Sequence, residues 1–309
     1  AYEMRLSLVG SEMCIRDSMR IRTILLQGSS VKSLTFLGDM FDGVQCPCIL
    51  LQLIATGKPL STAGMMIEDR TRTYTIAMER TVVPENFSFR MTDEEYRVLE
   101  KIKNSIPVCY LADHADFALG IVTGNNKKFL SAEKTENSEM VLKGTDICKY
   151  HINPVKQYLR FEPEQFQQVA PLEIYRAPEK LLYRFISNQL VVAYDDRQML
   201  SLNSCNIVIP KIEGMQIKYI LAILNSSVSQ FVYQKEFHSI KVLRAHMEHI
   251  PIPRVGKAIQ NEIIAMTEPL ICGMGKEAAE TCQKRLDCRI MDLFRLSAEE
   301  QWIIRHALH

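Results

Sequence analysis

The segment Gly120–Phe129, GIVTGNNKKF, gathers two glycines, two amides and two lysines in a short stretch. Glycine lets a backbone approach a ligand closely, while amides and lysines bind phosphate oxygens or base edges. A nucleotide loop demands fixed spacing. It needs either four residues between a first glycine and a Gly-Lys-Ser/Thr triplet, or a G-x-G-x-x-G fingerprint opening a helix after a strand. Here three residues separate Gly120 from Gly124, and Lys127-Lys128 lead to Phe129 rather than to a hydroxyl. The spacing excludes both loops. Two readings stay open: a turn that contacts nucleic acid through Asn125, Asn126, Lys127 and Lys128, or a solvated hairpin turn of the same composition.

Metal chemistry finds little support in the spacing. The nine cysteines form no CxxC pair, and Cys46-Pro47-Cys48 is too tight for a common zinc-ligand pair. An odd number without a dense framework points to reduced thiols, many of them buried as small apolar groups, in an intracellular protein. His246 and His249 fall within one helical turn, but Pro251 follows and no thiol or carboxylate set accompanies them. No metal site is expected. Asp195-Asp196 reads as a turn after LVVAY rather than as a metal pair.

The 309 residues suffice for two domains. An apolar fraction of 47% and a charged fraction of 24% are those of an ordinary soluble protein. With 37 basic against 36 acidic groups the formal charge is +1, so cations for a polyanionic partner would have to be concentrated locally. No run approaches the roughly 18 apolar residues that span a bilayer, and no secretory signal is recognisable. A cytoplasmic protein without membrane contact is the expectation.

The elements that must position these groups are legible in part. VKSLTFLG (Val31–Gly38) and CPCILLQLIA (Cys46–Ala55) read as buried strands, and the short DMFDGVQ between them requires an antiparallel pair. RTYTIAM (Arg72–Met78) is a further strand. Thr92 with Glu95 opens a helix running to about Lys103, and Ser297 with Glu300 opens another that carries Trp302 and Ile303. Between them, FALGIVTG, QYLRF, QLVVAY and CNIVIP alternate with turns, as in a mixed β-rich domain. Tyr219–Phe237 has apolar groups at helical spacing and reads as one helix; IPIPR (Ile250–Arg254) is extended. The tail shows helical stripes at Ile259, Ile263 and Met266, then at Leu286, Ile290, Leu293 and Phe294.

The order of segments carries more than any one of them. LGIVTGNNKKF, LKGTDICKY, PEKLLYRFISNQLVVAYDD, YILAILNSSVSQFVY and IPIP follow one another as in the TaqI-like C-terminal specificity domain, which this stretch resembles. That family supplies target recognition to adenine-N6 DNA methyltransferases and combined restriction–modification enzymes. The resemblance implies that double-stranded DNA is the partner. It assigns DNA contacts to Thr123, Asn125, Asn126, Lys127, Lys128, Lys143 and Arg184, and to Lys235, His238, Lys241 and Arg244 in the cationic QKEFHSIKVLR. Upstream, IRTILLQGSSVKSLTFLGDMFDGVQCPCILLQL resembles the last part of the family's catalytic domain. There a hairpin connection carries an aromatic group that contacts the flipped-out target adenine, a role the match gives to Phe41; the alternative for Phe41 is a core plug. An amino group inside a base pair is unreachable, so the base must leave the stack, and an aromatic partner offsets the lost stacking.

The resemblance also implies S-adenosylmethionine as methyl donor. Neither its glycine-rich loop nor an Asn/Asp-Pro-Pro-Tyr/Phe motif occurs in the sequence, so both are expected upstream of Met19 and the chain alone is expected to be inactive. LSLVGSEMCIRDS near the start is similar to translated adapter sequence and lacks a clear strand or helix period. The expected architecture is α+β. Residues 1–18 would be a non-native segment, and 19–104 the end of a methyltransferase catalytic domain built on an antiparallel β-hairpin. Residues 105–255 would form a mixed β-rich target-recognition domain, and 256–309 a helical tail. The alternative is a stand-alone specificity module serving a separate methyltransferase or nuclease subunit. A third option is a globular protein that does not bind nucleic acid.

Overall fold

The structure, a computed structural model, describes residues 5–11 (backbone only), 19–43, 47–83, 88–237 and 239–308. The chain divides into two compact units, Ala1–Arg97 and Val98–His309, with the division inside helix Asp93–Asn104. That helix opens on the expected capping box: the Thr92 N–H donates to Glu95 Oε2 at 2.8 Å, and the Glu95 N–H to Thr92 Oγ1 at 3.3 Å.

In the first unit, β1 (Arg5–Ser11), β2 (Ser29–Asp39), β3 (Pro47–Ala55), β4 (Met66–Glu68) and β5 (Thr73–Thr75) form one sheet in the order β1-β3-β2-β4-β5. β2 and β3 pair antiparallel, as their short connection demands. Register shifts at Val31/Ser33 and Phe36/Gly38 break the strict alternation of β2, so that Ser33 and Leu34 are both buried. The Ser33 hydroxyl donates to Gln52 Oε1 at 3.0 Å. Leu34, Leu51, Met65, Ile67 and Ile76 fill the core with Leu25 of helix Met19–Gly28. Arg5–Ser11, expected to lack strand character, instead pairs antiparallel with Cys48–Ile54 of β3. An edge strand offers main-chain groups that an extended segment can satisfy whatever its side-chain period.

The second unit holds β6 (Val108–Cys109), β7 (Ala115–Ala118), β8 (Leu130–Ser131), β9 (Ser138–Leu142), β10 (Tyr158–Arg160), β11 (Lys180–Arg184), β12 (Val192–Asp195), β13 (Leu200–Ser201), β14 (Cys205–Pro210) and β15 (Ile252–Pro253). They make two four-stranded sheets, β12-β11-β14-β7 and β13-β9-β10-β8, and the ribbon β15-β6. Both larger sheets contribute to one core that includes Leu142, Leu159, Leu182, Leu200 and Ile207. The mixed α+β architecture is the expected one.

The stretch expected as a single helix from Tyr219 to Phe237 is two helices, Ile217–Asn225 and Ser227–Phe237. Ser226 is extended (ψ 158°) and its hydroxyl accepts from the Ser229 N–H at 3.2 Å. The buried Asn225 amide, just before it, bonds both main-chain groups of Val192, at 3.0 and 2.8 Å. Val192 lies on the edge strand β12, so the amide completes that edge, and the chain bends there to let it.

Asp195, read as a turn residue, is that and more. It accepts from the Arg197 and Met199 N–H groups at 2.9 and 3.0 Å, and it pairs with Lys180 at 2.6 Å with both side chains fully buried. Burial pulls the Lys180 amine below its ordinary pKa, while Asp195 opposes that pull. The tail helices Lys257–Cys272, Lys276–Leu293 and Ala298–Ala307 belong to this unit. Ile263, Leu286, Ile290 and Phe294 are buried as expected, and the Ser297/Glu300 capping box is present; Ile304 is buried on the last helix, whereas Trp302 is exposed. Asp287 accepts from the Ser227 N–H at 2.9 Å and so fastens the tail to helix Ser227–Phe237. Among the described residues no helix is long and apolar enough to cross a membrane, and no group of three His, Cys, Asp or Glu side chains could hold a metal.

Removing one partner of a buried ion pair strands the other charge, which costs about 3–5 kcal/mol. Asp195→Ala should therefore lose about that much stability in urea unfolding, and Lys180→Met combined with Asp195→Leu should recover the part due to the stranded amine, though not the part due to the Arg197 and Met199 N–H groups left without their acceptor. Equal losses from the single and double variants would remove the pair as the cause.

Candidate functional site

The segment that opened the sequence reading folds for reasons other than phosphate binding. Gly120 stands where a Cβ would come 2.1 Å from the Leu202 carbonyl oxygen and 2.7 Å from that of Cys205. Only glycine permits this approach. Around it the Ile121 N–H donates to Ser201 O at 2.7 Å, and the Asn203 N–H to Ile121 O at 3.1 Å. Gly124 takes the left-handed conformation (φ 74°) that a tight turn needs. The Asn125 carboxamide then caps the helical turn Asn126–Phe129 by accepting from the Lys128 N–H at 3.2 Å. Thr123 is buried and its hydroxyl donates to Asn126 Oδ1 at 2.6 Å. Phe129 plugs the core, edge-on to Phe166 at 5.2 Å.

A second glycine works the same way from the other side. A Cβ at Gly144 would meet the Ser204 carbonyl oxygen at 2.5 Å, and the Gly144 N–H donates to Ser204 Oγ at 3.0 Å. Arg184, expected to face DNA, braces this turn instead. Its Nε donates to Gly144 O at 2.8 Å and its Nη2 to Ile147 O at 2.6 Å. Lys143, just before Gly144, stays exposed.

The Leu202–Cys205 turn, held between the two glycines, borders an open cavity of about 400 Å³. It lies at one end of the sheet β13-β9-β10-β8, where β9 and β13 leave and β10 enters. Exposed Asn126, Lys127, Lys143 and Asn203 line it with half-buried Gln157, Ser204 and Leu130 and buried Leu202. Three amides, a hydroxyl and two ammonium groups thus converge on an apolar floor. Such a set can hydrogen-bond base edges while neutralising phosphates. Sequence reasoning found Asn126, Lys127 and Lys143 but missed Gln157, Asn203 and Ser204. The two glycines were the available signal, since each marks a close approach, though neither names its partner.

The remaining expected contacts fall elsewhere. Lys128 donates to Gln165 Oε1 at 2.6 Å and lies 4.8 Å from the Phe129 ring centroid. Lys235 is buried, its Nζ 5.8 Å from the Phe231 ring centroid. Lys241 is exposed. Arg244 is exposed beside Phe117, and hydrogen bonding to Glu248 at 2.7 Å holds its guanidinium above the usual pKa range. None of these four lines the cavity. His238 lies outside the described residues. In the first unit, Phe41 sits on the connection after β2 with 63% of its surface exposed, so it is no core plug.

Residues 139–252 match the family model of the TaqI-like C-terminal specificity domain. The resemblance carried by the segment order therefore holds over that span, which is similar to restriction–modification target-recognition domains; LGIVTGNNKKF lies before it. Among curated proteins nothing matches the sequence. The Type IIL restriction-modification enzyme MmeI, solved in complex with DNA, has the same fold: TM-score 0.59 at 10% identity over 99% of this chain and 49% of MmeI. A type I R-M system structure aligns at TM-score 0.39 with 14% identity, over 70% of this chain and 52% of that one. The HsdS subunit from Thermoanaerobacter tengcongensis aligns at 0.36 with 14% identity, over 70% and 50%. The chain spans about half the length of these solved proteins.

Gly120→Ala and Arg184→Ala should each lower the thermal stability of the chain, by about 2 kcal/mol or more, through the backbone clash and the orphaned carbonyls. Lys127→Ala should stay within about 0.5 kcal/mol of wild type. A Gly120→Ala chain as stable as wild type would show that the turn is not fixed by this contact.

Proposed function

We propose that this chain selects the DNA sequence on which a restriction–modification system acts, as the recognition part of a site-specific N6-adenine DNA methyltransferase of the cytoplasm. The observation that carries this reading is the cavity at the end of the β13-β9-β10-β8 sheet, which joins Lys143, Gln157 and Leu202–Ser204 of the matched span to Asn126, Lys127 and Leu130 before it: amides for base edges line it together with Lys127 and Lys143. Its two ammonium groups are exposed and free to release counterions from a duplex, whereas the chain as a whole is near neutral. Lys241 and Arg244 would add backbone contacts away from the cavity. MmeI, whose fold the chain shares, was solved on DNA.

Phe41 is proposed to stack on the extruded adenine, a role supported by its exposure on a strand connection. The methyl donor would be S-adenosylmethionine. The described residues do not fit it, since no G-x-G-x-x-G turn leads from a strand into a helix: three residues separate Gly120 from Gly124 before the turn Asn126–Phe129, and Gly256 stands alone before helix Lys257–Cys272. The donor would then be held by another part of the enzyme or by another subunit. That same observation favours the second reading, a specificity module serving a separate methyltransferase or nuclease subunit.

Duplex binding followed by fluorescence anisotropy should weaken steeply as salt rises. Lys127→Ala and Lys143→Ala should each weaken it on all sequences and reduce the log–log salt slope by about 1. Salt-independent binding, or slopes unchanged in both variants, would take the cavity out of the interface. With S-adenosylmethionine the chain alone should methylate nothing. In the complete enzyme Phe41→Ala should slow transfer by about 5- to 150-fold, the equivalent of one lost stack. An unchanged rate would return Phe41 to an ordinary surface residue.

A further inference from the structure

Beside the cavity stands an apolar tip that the amides and lysines leave unexplained. β11 and β14 pair antiparallel with Arg184 opposite Cys205, so the chain leaving β11 runs alongside the turn that borders the cavity. The Phe185 N–H donates to Ser204 O at 3.0 Å, and Ser204 lines the cavity. Ile186 is the next residue. Its Cα therefore lies about 3.8 Å beyond the residue bonded to the rim, close to the roughly 3.4 Å rise of one base pair.

Ile186 is held out into solvent. It pairs antiparallel with Lys241 across a bridge closed on both sides, where the Val242 N–H donates to Phe185 O at 2.7 Å and the Ser187 N–H to Ile240 O at 2.9 Å. The Ser187 hydroxyl, accepting from the Gln189 N–H at 3.1 Å, fixes the turn beyond. With 62% and 61% of their surface exposed, Ile186 and Ile240 are the most exposed large apolar side chains among the described residues of the second unit. A single exposed isoleucine is commonplace, but these two belong to one hydrogen-bonded ribbon at the rim of the candidate site. Lys241, across from Ile186, is exposed as well.

The amides of the cavity suit the polar groups of base edges. The major groove presents one apolar group besides, the C5-methyl of thymine, and apolar side chains are what recognise it. We propose that Ile186 packs on the methyl group of one thymine in the recognised sequence, at a base pair next to those the cavity reads, while Lys241 takes the adjoining phosphate. Ile186 rather than Ile240 has this role because its own strand carries it from the cavity rim. Covering one methyl removes it from water, which is worth about 4-fold in affinity. The inference rests on the DNA-recognition reading given above.

Replacing thymine by deoxyuridine removes that methyl alone and leaves every hydrogen-bonding group of the base pair in place. The test takes the duplex that the full chain selects from a randomised library, replaces its thymines one at a time, and follows binding by fluorescence anisotropy. Wild type should lose about 4-fold at one thymine and little at the others. Ile186→Ser or, should that variant melt early, Ile186→Ala should bind the thymine and deoxyuridine duplexes alike, with the salt slope of wild type. Ile240→Ser should keep the difference. Equal affinity for thymine and deoxyuridine at every position would overturn the assignment, leaving the ribbon to a protein partner and the DNA-recognition reading standing. A difference that survives the loss of the Ile186 side chain, or vanishes in Ile240→Ser instead, would overturn it too. A wild-type chain that selects no sequence would overturn both readings.

Discussion

The Leu202–Cys205 turn can lie where it does only because residues 120 and 144 have no side chains. A Cβ on either would press on a carbonyl oxygen of the turn, at 2.1 or 2.5 Å, and main chain in a packed core has nowhere to go. Everything at the candidate site follows from this double approach. Gly120 leads into the capped turn that carries Asn126 and Lys127. Gly144 follows Lys143. The turn itself brings Asn203 and Ser204. Parts of the chain distant in sequence meet at one end of one sheet, and side chains that would be ordinary surface groups elsewhere converge there.

Buried polar contacts then lock the frame that presents them. Lys180 and Asp195 pair in the core across β11 and β12. Asn225 completes the edge of β12, and Asp287 ties a tail helix to the start of helix Ser227–Phe237. Such groups add little net stability over apolar residues of the same volume, but each is expensive in any other arrangement. They exclude alternatives. A site that must discriminate one base edge from another needs its donors and acceptors fixed within fractions of an ångström, and a frame of this kind supplies that.

What was legible in the sequence was what local chemistry decides. The capping boxes at Thr92/Glu95 and Ser297/Glu300 formed because both halves of each lie within one helical turn. CNIVIP became β14, and the short connection after β2 forced an antiparallel pair. The misses are tertiary. The break at Ser226 depends on Val192, which Asn225 reaches only after folding. Lys235 looked like part of a cationic surface, yet it lies one helical turn after buried Phe231 and shares its buried side. Arg184 was counted as a free cation because nothing nearby in sequence announces the carbonyls of Gly144 and Ile147. Beyond the two glycines nothing in the sequence marks Gln157 or Asn203, since a lone amide in a turn or before a strand is commonplace.

The most direct test of the central claim is a structure of the full chain bound to a duplex it prefers. The account predicts that the Leu202–Ser204 turn enters the major groove, with base edges within hydrogen-bonding distance of the amides around the cavity and phosphates beside Lys127 and Lys143. A duplex lying across another face, with that cavity left open to solvent, would contradict it.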